Sequence, residues 1–155
     1  WEKDGRTFVV SLLGCGWPNH KTYKWSDTKK LLSYGSYNYN YETYWQEPQT
    51  EKILVTDGVE DDQDIGTLIY LRGKCSVTAD DRNKKILLKK GESVICQTEI
   101  PPKVSAPVLK GEKLGRIAYY LNGELIDSYP VYAEKSVEKI SFKWYVEKVF
   151  HGFFH

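Results

Sequence analysis

Residues 115–132 read Gly-Arg-Ile-Ala-Tyr-Tyr-Leu-Asn-Gly-Glu-Leu-Ile-Asp-Ser-Tyr-Pro-Val-Tyr and predict a β-hairpin. Its turn is Asn122-Gly123, because both central positions of a type I′ turn need a positive φ and Asn-Gly tolerates this best. The flanking segments 115–121 and 124–132 are rich in the β-branched and aromatic residues that favour strands. The hairpin therefore predicts an antiparallel sheet in this part of the chain.

Upstream of the hairpin the pattern consists of short runs that favour strands. The predicted strands span residues 52–56, 68–71, 74–79, 86–88 and 93–99. Many short strands at close spacing are typical of a small antiparallel β sandwich, so we expect a mainly β fold.

The first 45 residues differ from this pattern. Residues 6–13 form a short apolar run, which predicts a strand buried on both faces. A helix should follow, capped by Ser26 or Asp27 and ended at Gly35. The turn-forming segment 46–49 then suggests a linker. The expected division is a strand-helix segment over residues 1–45, a β domain over 46–133 and a terminal helix over 134–155.

The terminal helix, roughly residues 137–154, is amphipathic. Its apolar side chains recur at helical spacing, and Trp144 lies at their flank, where an indole reaches the headgroup layer of a membrane. The predicted membrane-contact residues are Phe142, Trp144, Tyr145, Val146, Val149, Phe150, Phe153 and Phe154. Two interpretations stay open: the apolar face packs on the β domain, or it contacts lipid. Because residues 137–155 carry three Lys and two Glu, lipid contact should depend weakly on salt.

Composition narrows the function classes. The 155 residues are 41% apolar with a net charge of +1, which gives no electrostatic case for nucleic acid. The three cysteines leave two interpretations, buried free thiols or one bridge between Cys75 and Cys96. The chain begins at Trp1 and contains no Met, so we expect a piece of a longer protein.

Three motifs resemble those of penicillin-reactive serine enzymes but crowd into one local segment. They are Ser26-Asp-Thr-Lys29, Ser36-Tyr-Asn38 and Lys21-Thr22. An active site needs these groups to converge from separate elements around a cleft, so we interpret them as coincidental. The acidic run over residues 57–64 lacks the register of a calcium loop, and the histidines are scattered. We predict no catalytic residue, no cofactor and no metal site in this chain.

Three segments together resemble the C-terminal part of a D-alanyl-D-alanine carboxypeptidase, a low-molecular-mass penicillin-binding protein of the serine peptidase class. Asp4-Gly-Arg-Thr-Phe-Val-Val-Ser-Leu-Leu-Gly14 and Asp27-Thr-Lys-Lys-Leu-Leu-Ser-Tyr-Gly35 are similar to the last strand and helix of its α/β transpeptidase-like catalytic domain. Ala106-Pro-Val-Leu-Lys-Gly-Glu-Lys-Leu-Gly115, with the hairpin, is similar to its β-rich C-terminal domain. The Phe-rich terminal helix is similar to its membrane foot.

The resemblance implies that the catalytic motifs lie upstream of Trp1 and that this piece is inactive alone. The parent would trim the peptidoglycan stem peptide during wall synthesis and remodelling, and β-lactams would acylate the same serine. It implies a peripheral location on the outer face of the bacterial cytoplasmic membrane. The alternative hypothesis is a stand-alone, membrane-tethered binding module without enzymatic activity, whose β domain recruits a protein or glycan partner.

Overall fold

The computed structural model describes residues 1–14, 20, 22–60 and 63–153, which fall into two compact units. The first unit combines residues 1–44 with 84–93, and the second combines 45–83 with 94–155.

The second unit is mainly β and contains most of the strands. These are β4 (Ile53–Thr56), β5 (Gly58–Val59), β6 (Ile69–Leu71), β7 (Gly73–Cys75), β9 (Val94–Glu99), β10 (Lys103–Ser105), β11 (Lys113–Leu121), β12 (Glu124–Ala133) and β13 (Glu138–Lys139). Its helices are α2 (Ala79–Arg82) and α3 (Phe142–Phe153). The sheets have the orders β7-β12-β11-β9, β10-β4-β6 and β13-β5. Among these pairings β10 with β4 is parallel and the others are antiparallel, which confirms the predicted mainly β, antiparallel class.

The predicted hairpin is confirmed as β11 and β12. Asn122 and Gly123 have φ values of 52° and 85°, as both positions of a type I′ turn require. The register shifts between Tyr119 and Tyr120, which is a β-bulge of the kind that bends and twists a strand. Gly115 on β11 passes against the Glu99 carbonyl of β9 so closely that a Cβ would collide with it. The local turn chemistry therefore sets the hairpin, and a glycine lets the neighbouring strand approach.

The core of this unit lies between β4, β6 and the ends of β11 and β12. Its buried members are Ile53, Val55, Ile69, Leu71, Ala106, Val108, Leu114, Ala133 and Val137. On β4 and β6 the buried residues alternate with exposed or half-buried ones, as expected when one face of a sheet covers the core. Val137, just after the hairpin, is almost fully buried and ties the chain entering α3 to this core.

The first unit contains β1 (Glu2–Lys3), β2 (Arg6–Thr7), α1 (Tyr23–Asn38), β3 (Tyr39–Thr43) and β8 (Lys85–Lys89). β8 pairs antiparallel with β3, so the predicted strand at 86–88 belongs to this unit. The Arg6 guanidinium donates to the Ser36 and Tyr39 carbonyls and to Asn40 Oδ1 at 3.3, 2.5 and 2.7 Å. This side chain thereby satisfies carbonyls at the end of α1 that lack helical partners. The division at residues 45 and 133 stays a prediction.

Two expectations in the first unit are wrong. The strand predicted over residues 6–13 is confined to β2, and Val9 and Leu13 beyond it are 92% and 91% exposed. An apolar run forms a buried strand only when neighbouring strands pair with it. Helix α1 begins at Tyr23, so Ser26 is not its cap, and it continues through Gly35 to Asn38. Gly35 lies against the Phe8 ring, where a Cβ would be 3.2 Å from the nearest ring carbon.

The two described cysteines are free thiols. Cys75 lies on β7 and Cys96 on β9, the two edge strands of the four-stranded sheet, with β12 and β11 between them. The bridge between neighbouring strands is therefore not formed, while Cys15 lies outside the described residues. Both thiols are half-buried, and burial raises the pKa of Cys75.

Candidate functional site

Helix α3 begins later than predicted, because the residues before it are held in extended pairing. Val137 forms a bridge with Val108, and β13 pairs with β5. Gly58 of β5 lies so near Val137 that a Cβ there would be 2.7 Å from a Val137 methyl. The prediction that the helix starts near residue 137 was wrong, since tertiary contacts determine the conformation of residues 137–139.

The first turn of α3 is fixed by hydrogen bonds. The Ile140 N–H donates to the Asp57 carbonyl at 2.8 Å, which joins the start of the helix to the end of β4. The Ser141 hydroxyl accepts from the Trp144 N–H at 3.2 Å, and its carbonyl accepts from the Tyr145 N–H at 3.1 Å. Ser141 is therefore the N-cap of α3 and satisfies one of its free N–H groups.

The apolar stripe of α3 is not covered by the β domain. Phe142 and Phe150 are 84% and 58% exposed, and Val149 and Tyr145 are 45% and 41% exposed. Val146 is half-buried. Phe153 ends the helix and Phe154 follows it, but the structure describes neither side chain. Phe142, Val149 and Phe150 therefore face solvent, which disfavours packing of this face on the β domain.

Trp144 lies on the other side of the helix. It borders a cavity of about 240 Å³ together with Ile140, with Tyr145 at the edge of the stripe, and with residues of the segments 57–60 and 63–69. The indole is half-buried, and its edge meets the Tyr145 ring in a T-shaped contact with centroids 5.6 Å apart. The Lys148 ammonium lies 5.7 Å from the indole centroid. We expected Trp144 at the flank of the stripe, but at 100° per residue it lies nearly opposite Phe142, and no local signal indicated the loop beside it.

Two of the three motifs considered coincidental, residues 26–29 and 36–38, lie on α1. Ser26 and Lys29 are exposed on that helix. The Ser36 hydroxyl donates to the Ser33 carbonyl at 3.2 Å, and the Asn38 amide donates to the Tyr34 carbonyl at 2.8 Å. These contacts are local to the helix. Lys21 lies outside the described residues.

The described residues contain neither a cluster of metal ligands nor a membrane-spanning helix. Within them, His, Cys, Asp and Glu side chains form no group of three or more that would hold a metal ion. No helix in the described part of the chain is both long enough and apolar enough to cross a membrane.

Part of the chain is similar to a domain of known proteins. Residues 76–139 match the family model of the penicillin-binding protein 5 C-terminal domain. Penicillin binding protein 5 from Haemophilus influenzae aligns at 22% identity and a TM-score of 0.38, covering 74% of this chain and 30% of that one. The D-alanyl-D-alanine carboxypeptidase DacD from Francisella tularensis aligns at 20% identity and a TM-score of 0.38, covering 74% of this chain and 27% of that one.

The chain thus spans less than a third of the length of these solved structures. No curated protein matches it. The matched segment begins just after β7 and ends with β13, so it includes the hairpin and stops before α3. The resemblance to the C-terminal part of a D-alanyl-D-alanine carboxypeptidase is confirmed over residues 76–139, which are similar to the penicillin-binding protein 5 C-terminal domain.

Proposed function

We propose that this chain is the C-terminal part of a serine-type D-alanyl-D-alanine carboxypeptidase and that α3 attaches it to a membrane surface. The parent would act on peptidoglycan stem peptides and be acylated by β-lactams, at the outer face of the bacterial cytoplasmic membrane. The chain itself would position the catalytic domain and have no activity alone. The observation that carries the attachment is the apolar stripe of α3, exposed while the opposite side of the helix meets the β domain.

The geometry supports contact with lipid rather than insertion across it. The helix has 12 residues, whereas a bilayer span needs about 20. The residues just before it are fixed, because β13 pairs with β5 and Ile140 donates to the Asp57 carbonyl, so the helix leaves the β domain from an anchored start with its stripe exposed. A Phe-rich stripe on a short helix is typical of segments that lie in the interface plane.

Magnitudes indicate a weak attachment. Fully burying a side chain such as Phe or Val is worth about 1.5–3 kcal/mol. We scale this burial free energy by the exposed fraction of each described stripe residue, namely Phe142, Tyr145, Val149 and Phe150. With half insertion, the free energy of attachment is then about 2–3 kcal/mol. Phe153 and Phe154 would add to this. The attachment is therefore reversible, and a parent protein of greater size would rely on the same contact.

Salt dependence distinguishes apolar from electrostatic attachment. Lys143 and Glu147 are 3.7 Å apart on the polar side of α3 and offset each other, so little net attraction to anionic lipid remains. Binding should then change little between low and high salt.

Co-flotation with vesicles tests the proposal. The chain is mixed with phosphatidylglycerol–phosphatidylcholine vesicles at roughly millimolar lipid, to suit a weak partition, and centrifuged through a density gradient. We expect a floating fraction that is the same at low and high salt. Absence of flotation at any salt concentration, or its loss at moderate salt, would contradict the proposal.

A further inference from the structure

Trp144 is separated from the apolar stripe by the geometry of the helix. At 100° per residue it lies about 160° around the axis from Phe142 and about 140° from Val149. When α3 presents Phe142 and Val149 to a flat surface, Trp144 faces away from that surface. The helix cannot place both the stripe and Trp144 in lipid without rolling about its axis.

Contacts on the Trp144 side oppose such a roll. The indole Nε1 is buried and has no acceptor among the described residues, and the Gln63 Oε1 that borders the same cavity is likewise buried without a donor there. The indole N–H is thus shielded from solvent by the surrounding residues and not fixed by a hydrogen bond among the described residues. A tryptophan at a membrane interface instead keeps its N–H in the wet headgroup layer.

The start of α3 restricts the helix as well. Ile140 donates to the Asp57 carbonyl, and β13 pairs with β5, so the chain enters the helix from a fixed direction. The Lys135 ammonium forms an ion pair with Glu60, in the segment that borders the Trp144 cavity. This ion pair ties the loop to the segment between β12 and β13, and the Ile140 hydrogen bond ties Asp57 to the segment just before α3.

We infer that Trp144 is a positioning residue: its ring, which borders the cavity beside Asp57 and Gln63, holds α3 on the β domain with the apolar stripe outward, and stays off the lipid. This replaces the expectation that Trp144 contacts lipid, and it rests on the proposed attachment through the stripe. The consequence is that the β domain sits on the membrane in one orientation rather than swinging on a loose helix.

Two substitutions separate the two roles in the full chain. Trp144→Ala removes the ring from the wall of the cavity, and Phe142→Ala, the matched control, truncates an exposed aromatic side chain of the stripe. Each variant is measured for vesicle flotation and for hydrogen exchange of the amides in α3, β5 and β13. Amides of β11 and β12 report whether the β domain remains folded.

We expect each alanine variant to change one of the two measurements and to leave the other unchanged. Trp144→Ala should leave vesicle partitioning within about twofold of the original chain while exchange in α3, β5 and β13 accelerates at least tenfold, because the helix is released from the loop. Phe142→Ala should lower partitioning about three- to eightfold with exchange unchanged. Trp144→Phe should restore slow exchange, since the ring remains and the lost N–H has no described acceptor.

A loss of partitioning in Trp144→Ala as large as in Phe142→Ala, with exchange unchanged, would overturn the inference and place Trp144 in lipid. If Trp144→Ala unfolds the β domain, Trp144→Phe decides: weakened flotation counts against the inference and unchanged flotation supports it. Failure of the original chain to float contradicts the proposed attachment alone, and the exchange data still decide whether Trp144 holds the helix.

Discussion

Replacing Phe142 and Phe150 together with serine should weaken membrane attachment without destabilising the fold. Their side chains are 84% and 58% exposed, so they contribute little to the folded core. Full burial of a Phe is worth about 1.5–3 kcal/mol. Scaling by the exposed fractions and taking half insertion gives about 1–2 kcal/mol for the pair, which is roughly a 5- to 30-fold loss in partitioning.

The assay is flotation over a series of lipid concentrations, with thermal unfolding measured on the same samples. A matched control replaces Lys143 and Glu147 with serine, since this pair lies on the polar side of α3, and its partitioning should stay within about twofold. Equal partitioning of the Phe double variant and the original chain would refute the reasoning. So would a large loss of stability in that variant, because it would show that the stripe covers a core.

Three further predictions concern the β domain and the Ser26 motif on α1. The hydrogen bond from Arg116, at 2.7 Å, lowers the pKa of Glu99, so this pair stabilises the fold above the carboxyl's ordinary pKa and is lost as pH falls through its lowered value. The difference in melting temperature between the original chain and Glu99→Gln should therefore vanish in acid, and a difference independent of pH would count against it. Tyr119→Phe leaves the Gln46 carbonyl without its 2.9 Å donor and should cost about 1–2 kcal/mol in urea unfolding, whereas a cost below about 0.5 kcal/mol would show that the bond is dispensable. Fluorescent penicillin should not label the chain covalently, and labelling abolished by Ser26→Ala would show that the Ser26 motif is catalytic.

Features set by local chemistry were predictable from the sequence. The Asn122-Gly123 turn fixes its own φ values, so the hairpin appears where the sequence placed it and each strand is extended by only one or two residues. The strands β4, β6 and β9 likewise match their predicted runs closely. The exposed stripe of α3 follows the helical period that predicted it.

Features set by contacts between distant parts of the chain were not predictable from the sequence. Val137 looked helical by pattern, but its pairing with Val108 keeps it extended, and α3 begins only at Phe142. β8 pairs with β3 across about 40 residues of sequence, which no local signal indicates. For the candidate site, periodicity identified the stripe, but the loop that meets Trp144 joins it only in three dimensions.

Hydrogen exchange of the chain with and without vesicles tests the central claim most directly. The account predicts that amides of α3 gain protection when vesicles are added, because the helix lies on lipid, while those of β11 and β12 stay unchanged. Bound chain in which α3 gains no protection, or in which the protection appears on β11 and β12 instead, would contradict it.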